Sequence, residues 1–133
     1  MGSSRPSKGG RKMDATKEVV VKDSGKRQNF KSGSVRDSRD KKGRYDLLMP
    51  HAIHLVARQL EEGAIKYAER NWELGQPLSR YMDSALRHLF RHLEGHRDER
   101  HDVACAWNVL AMIETSHKIE LGKLPKELND LPK

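Results

Sequence analysis

Between Val103 and Ile113 the chain reads Val-Ala-Cys-Ala-Trp-Asn-Val-Leu-Ala-Met-Ile, apolar on nearly every face of a helix. A helix of that kind has to be covered on several sides, by neighbouring helices or by another subunit. The spacing predicts a helix over about Glu99–Leu121, closed by Gly122 and Pro125. Upstream, Ile53, Val56, Leu60, Ala64 and Tyr67 recur at helical intervals and predict a helix over Pro50–Glu69, with the proline in its first turn. A turn follows at Asn71–Pro77. A second helix is expected over Arg80–Glu94, capped by Ser79, ended by Gly95 and carrying its apolar stripe on Met82, Ala85, Leu86, Leu89 and Leu93. No strand pattern competes. The fold class is all-α, a helical bundle. Three helices from the 89 residues after Arg44 make a thin core, so completion as a homodimer or homotetramer is expected.

The basic charge is unevenly distributed. Residues 1–44 carry 14 Lys/Arg against 5 Asp/Glu, and residues 45–133 carry 12 against 14. The pI of about 9.7 therefore belongs to the N-terminal arm, and the helical region is mildly acidic. The arm is rich in Ser, Gly, Lys and Arg and is expected to be largely irregular, with Val19-Val20-Val21 its most strand-like stretch. Such an arm can meet nucleic acid electrostatically, but solvated tails are commoner, and nucleic acid is not the expected partner. The single Cys105 excludes an internal disulfide framework and reads as a small hydrophobe in a reducing compartment. No apolar run approaches the length of a membrane span, about 20 residues. A soluble, cytoplasmic protein is expected.

The chemistry-bearing residues cluster by helix. On a helix that starts at Glu99, Glu99 shares a side with Val103, Ala106 and Leu110, and Asp102 lies at its edge. Two carboxylates at that spacing can hold a hard divalent cation such as Mg²⁺. They can equally decorate a helix N-terminus, together with Asp98. On the first helix Glu61 lies at the edge of the apolar stripe, whereas Glu62 points nearly opposite. Arg87 and Arg91, one turn apart beside His88, can present two guanidinium groups to phosphate or simply face water. Lys66 and Arg70 are similarly open. His88, His92 and His96 stand at four-residue intervals, and His101-Asp102 is an adjacent pair of the type found in metal-dependent phosphohydrolases. On the expected helix, however, His101 points away from Glu99 and Asp102 and reads as a bystander.

Several segments in order resemble one family. Phe30–Asp37 and Gly43–Leu47 come first, followed by Glu61–Tyr67, Arg70–Gly75, Ser79-Arg80, Arg87-His88-Leu89 and Ala106-Trp107-Asn108. Together they span roughly residues 28–115 and resemble the phage and bacterial dATP/dGTP diphosphohydrolases, a branch of the all-α, MazG-like nucleotide pyrophosphohydrolases. The resemblance is nearest to the MazZ-type phage enzymes, which serve the replacement of adenine by 2-aminoadenine in phage DNA.

That resemblance implies a MazG-like antiparallel bundle over residues 29–133 behind a basic tail, 1–28. It implies Mg²⁺ or Mn²⁺ held by acidic residues on two helices. The family's Glu-x-x-Asp motif falls on Glu99 and Asp102. Its Glu-x-x-Glu motif falls on Arg58 and Glu61, so Glu61 transfers and Glu62 is a candidate replacement ligand. The implied reaction converts a purine deoxynucleoside triphosphate, dGTP or dATP, to monophosphate and pyrophosphate. Glu61, Glu99 and Asp102 are then catalytic, while Lys66, Arg87 and Arg91 hold phosphates. Asn71, Trp72 and Asn108 meet base and sugar, and Arg44 lies in a segment that adds positive charge. The alternatives are a His–Asp metal phosphohydrolase, a non-enzymatic nucleic-acid-binding helical protein, and a helical oligomerisation module.

Overall fold

The computed structural model describes residues 19–133, so most of the basic tail, and every expectation about residues 1–18, lies outside the described residues. The chain divides into two compact units between Leu48 and Met49, whereas the expected boundary at 28/29 falls inside a strand.

The first unit holds a short antiparallel hairpin, β1 (Arg27–Asn29) paired with β2 (Val35–Asp37), with Gln28 opposite Arg36. The irregular arm expected here is therefore partly ordered, and its strands are not at Val19–Val21. The reason is turn chemistry rather than apolar content. The Gly33 N–H donates to the Phe30 carbonyl at 2.9 Å, and Phe30 N–H to Ser34 at 3.0 Å. Gly33 sits at φ 92°, the left-handed position that closes a three-residue hairpin loop and that only glycine occupies without steric cost.

The second unit contains α1 (Pro50–Lys66), α2 (Leu78–Leu93) and α3 (His101–Glu120). Helix α1 stops three residues before the expected Glu69, because Ala68 (φ 150°) and Arg70 (φ 61°) turn the chain out of helical geometry. Residues other than glycine pay about 1–3 kcal/mol for such a conformation. Here it carries Trp72 back against the Leu78–Tyr81–Ala111 cluster. Helix α2 begins earlier than expected, with Ser79 inside its first turn rather than capping it. Leu78 is drawn in because it is 1% exposed, and the cap is supplied from far along the chain. The Asp130 carboxylate accepts from the Ser79 N–H at 2.9 Å and from its hydroxyl at 2.5 Å. Gly95 ends α2 as expected. At φ 93° its N–H reaches the His92 carbonyl, while the next N–H, of His96, reaches Arg91. That pair of bonds is the Schellman ending.

The α2–α3 contact is the most extensive in the unit, and α1 packs on α3. The α2 face in that contact carries Leu78, Tyr81 and Ala85, all buried, then His88 and His92, partly buried. The α3 face carries His101, Ala104, Asn108, Ala111 and Thr115, all buried. Both runs alternate three- and four-residue steps, the seam of two helices packed side by side. His88 meets His101 near the connecting loop and Tyr81 meets Trp107 further along, so the two helices run antiparallel. The Tyr81 and Trp107 rings meet edge to face at 6.3 Å. The Tyr81 hydroxyl donates to the Trp72 carbonyl at 3.4 Å, and burial pushes its phenol pKa up. The seam keeps Ala85 of the stripe expected on α2 but not its leucines: Leu86, Leu89 and Leu93 are exposed. On α3, Val109, Leu110 and Ile113 are also 36–58% exposed, although the sequence is apolar there. No described helix is long and apolar enough to cross a membrane.

Candidate metal centre at the α2–α3 junction

Two of the seam histidines, His88 and His101, meet across the α2–α3 contact. His88 lies one step beyond Ala85 on α2, and His101 is the first residue of α3. The loop that begins at Gly95 brings the C-terminal turns of α2 beside the start of α3, so the two imidazoles face each other. Their Nδ1 atoms stand 2.9 Å apart and the rings tilt at 35° with centroids 5.2 Å apart. His101 is 2% exposed. Its other nitrogen, Nε2, lies 2.9 Å from the Asp98 carboxylate, and this hydrogen bond holds the Asp98 carboxyl below its usual range. Glu99 completes the group: His88, Glu99 and His101 each offer a ligand atom, all within 4.8 Å of one another.

Helix α3 starts at His101, not at Glu99, and this changes the geometry. Arg100 is its N-cap, at φ −81° and ψ 80°, so Glu99 lies outside the helix and does not share a helical face with Asp102. It converges with His101 instead. The expected bystander is therefore a central member of the cluster. The sequence signal for it is the seam spacing, which places His101 in register with Ala104, Asn108 and Ala111.

The arrangement suits a divalent cation. Two cis ligands at about 2.1 Å from one ion stand roughly 3 Å apart, close to the separation of these two nitrogens. An outer carboxylate on the far nitrogen of a ligating histidine is the usual companion of such a site. Positive charge lies close by. Burial pushes the His88 pKa down, Arg87, His101 and Arg91 lower it further, and Glu99 pulls it up. Arg87 and Arg91 are both exposed and so accessible to an anion.

The other expected site residues are distributed differently. Asp102 is bound by Arg100 through two bonds of 3.0 and 2.9 Å, and that guanidinium holds its carboxyl well below the usual range. Glu61 pairs with Arg58, which also reaches Glu62 at 3.5 Å. Arg58 thereby neutralises the acidic edge of α1. Glu61 and Glu62 lie outside the His88–Glu99–His101 group. Lys66 ends α1 with its ammonium 5.1 Å from the Tyr67 ring centroid. Asn71 is exposed at the start of a single 3₁₀ turn. Trp72 lines a groove of about 340 Å³ with Val56, Leu60, Trp107 and Leu110, where the Lys118 ammonium lies 5.4 Å from its ring centroid. Asn108 is buried and donates to the Ala104 carbonyl at 2.8 Å, so its amide is used within α3. In the first unit Arg44 is engaged by Asp46 through bonds of 2.8 and 2.7 Å.

These features define a small all-α protein with a candidate divalent-metal centre flanked by arginines. A family model described as the N-terminal part of dATP/dGTP diphosphohydrolases matches residues 32–123. The chain belongs to that family and is thereby a nucleoside triphosphate pyrophosphohydrolase. No curated protein and no solved structure gave a match.

Proposed function

We propose that this chain hydrolyses purine deoxynucleoside triphosphates, dGTP or dATP, to the monophosphate and pyrophosphate, with a divalent cation held by His88, Glu99 and His101. The observation that carries the reading is the convergence of those three side chains within the region that the family model covers. Of the two cations expected, Mn²⁺ suits two nitrogens and one carboxylate better than Mg²⁺, which prefers oxygen alone. When bound, such a cation supplies charge neutralisation at phosphate and acidifies bound water.

The chain's own residues do the remaining work in this reading. Arg87 and Arg91 receive the polyphosphate beside the cluster, with Lys66 as a further cation. Asp102, kept ionised by Arg100, is a weak proton acceptor at neutral pH and is better suited to binding a cation. A cation at Glu61 and Glu62 would have to displace Arg58, and one at Asp102 would have to displace Arg100, each releasing a guanidinium group that could meet phosphate. Trp72 offers a stacking face for the purine, beside Asn71. Water oxygen forms the new bond to the α-phosphorus as the bond from that phosphorus to the bridging oxygen breaks; the bridging oxygen keeps the electron pair and leaves as pyrophosphate, and the water proton passes to solvent. The exposed faces of α1 and α3, including Ile53, Leu60 and Ile113, support assembly as a dimer or tetramer. The resemblance to MazZ-type enzymes supports a place in phage 2-aminoadenine metabolism, where trimming dATP and supplying dGMP both serve.

The test is product identity. Purified chain with Mn²⁺ or Mg²⁺ and each common NTP and dNTP should release monophosphate and pyrophosphate from dGTP or dATP. A second reading, a His–Asp phosphohydrolase, is favoured by the burial of His101 in the cluster. Release of triphosphate, or of orthophosphate, would replace the first reading.

A further inference from the structure

We propose that Asp98 is the positioning residue of this centre, fixing the tautomer of His101 so that its Nδ1 lone pair faces His88 and Glu99 before any cation arrives. The inference rests on reading His88, Glu99 and His101 as a ligand set, and it assigns the two histidines unequal tasks.

The hydrogen-bond inventory settles which nitrogen carries each proton. An ionised carboxylate can only accept, so across the 2.9 Å contact with Asp98 it is His101 Nε2 that donates. A neutral His101 then has no proton on Nδ1, and that atom is an acceptor. His88 Nδ1, 2.9 Å away, must donate to it. The metal-free protein therefore holds His101 as the Nε2–H tautomer and His88 as the Nδ1–H tautomer, with one proton between the rings where a cation would sit. His101 is ready to ligate as it stands. His88 joins through the facing nitrogen only by losing the Nδ1 proton and gaining one at Nε2, an exchange through solvent with no net gain or loss of protons. Asp98 does this while being 69% exposed at its side chain, so core packing does not account for its position. His101, at 2% exposure, has the opposite character. It starts α3, and its main-chain N–H donates to the Glu99 carbonyl at 2.9 Å, which keeps the loop carrying Asp98 and Glu99 close to the ring.

Imidazole ¹⁵N NMR of the full chain, at mildly alkaline pH and with Zn²⁺ as a diamagnetic probe, reads these protons directly. The expected result is His101 as Nε2–H with and without Zn²⁺, and His88 changing from Nδ1–H to Nε2–H on loading. A metal-free His101 in the Nδ1–H form would overturn the proposal. Asp98→Ala should weaken Zn²⁺ binding by about 10–100-fold in calorimetry, the usual cost of losing an outer partner, and should release the tautomer preference. Asp98→Asn, whose amide oxygen still accepts, should restore the preference. Wild-type affinity together with an unchanged His101 tautomer in Asp98→Ala would remove Asp98 from the role. A wild-type chain that binds no Zn²⁺ overturns the metal-centre reading itself, while the metal-free tautomers still test Asp98. Because Asp98 is exposed, far-UV circular dichroism of both variants should match wild type.

Discussion

The two units of this chain are held by different physics. In the hairpin unit every described residue is exposed or only partly buried, and order comes from the Gly33 turn together with charged contacts. Asp37 accepts from the Ser24 hydroxyl at 2.5 Å and from Lys42 at 2.9 Å, while Asp23 receives two bonds from Arg27. Exposed pairs of this kind contribute little each and are screened by salt. In the helical unit order comes from a seam of side chains withdrawn from water, centred on Leu78, Tyr81 and Ala111. His88 and His101 of the candidate metal centre lie on that seam, so the position of the two rings derives from the packing of α2 on α3. The contrast teaches where each unit is vulnerable: one to ionic conditions, the other to loss of volume.

The largest effect should follow from removing volume in the seam. Leu78→Ala deletes a side chain that is 1% exposed, for an expected loss of about 2–5 kcal/mol. Differential scanning calorimetry should show the melting temperature falling by roughly 8 °C or more. The hairpin amides should keep their chemical shifts. A cost below about 0.5 kcal/mol would mean that the seam is not the stabilising element.

His101→Ala tests whether the seam also carries the chemistry. Removing a ligand should exceed the penalty for losing an outer partner, so a drop in kcat/KM on the order of 100-fold or more is expected, about 2.7 kcal/mol. Steady-state pyrophosphate release measures it. Unchanged turnover would separate the cluster from catalysis. A smaller effect belongs to Asp130→Ala, which removes the remote cap on α2 and should lower stability by less than the loss of Leu78. Urea denaturation should show it as a lower midpoint with an unchanged slope.

Much of the helical unit was legible in the sequence because spacing and punctuation report local physics. Pro50 at the start of α1, Gly95 and Gly122 at helix ends, and the apolar run of α3 all stand where they were expected. The seam on α2 was not legible in the same way. Apolar content favours the face of Leu86, Leu89 and Leu93, while the face that packs carries Leu78, Tyr81 and His88 beside the expected Ala85. Choosing between them takes knowledge of which helix covers which. The start of α3 was hidden for a similar reason. Asp98 and Glu99 have the composition of an acidic first turn, yet Asp98 is committed to His101 and Glu99 stays outside the helix. That displacement by two residues exchanged Asp102 for His101 as the neighbour of Glu99. The pairing of Arg58 with Glu61 and Glu62 was likewise legible as spacing but not as an outcome, because arginine and cation compete for the same carboxylates.

The smallest effect returns to the hairpin and distinguishes the two units by pH. The Ser24 hydroxyl and the Lys42 ammonium, with the Ser24 N–H, hold the Asp37 carboxyl down to about 2, against about 3.9 for an unperturbed aspartate. A group with a depressed folded-state pKa contributes its stabilisation fully above the unfolded value and loses it as pH falls through the folded value. The contribution of Asp37 should therefore be present above about pH 4 and vanish near pH 2. The Ser24 amide, which donates to that carboxylate at 3.2 Å, should follow it with a midpoint near 2 in an NMR titration. Added salt should move the midpoint upward, because the Lys42 attraction is exposed to screening, while the Leu78–Tyr81 resonances should not respond to salt. A midpoint near 4 at low salt would show that Ser24 and Lys42 do not engage Asp37, leaving the Gly33 turn as the hairpin's main source of order.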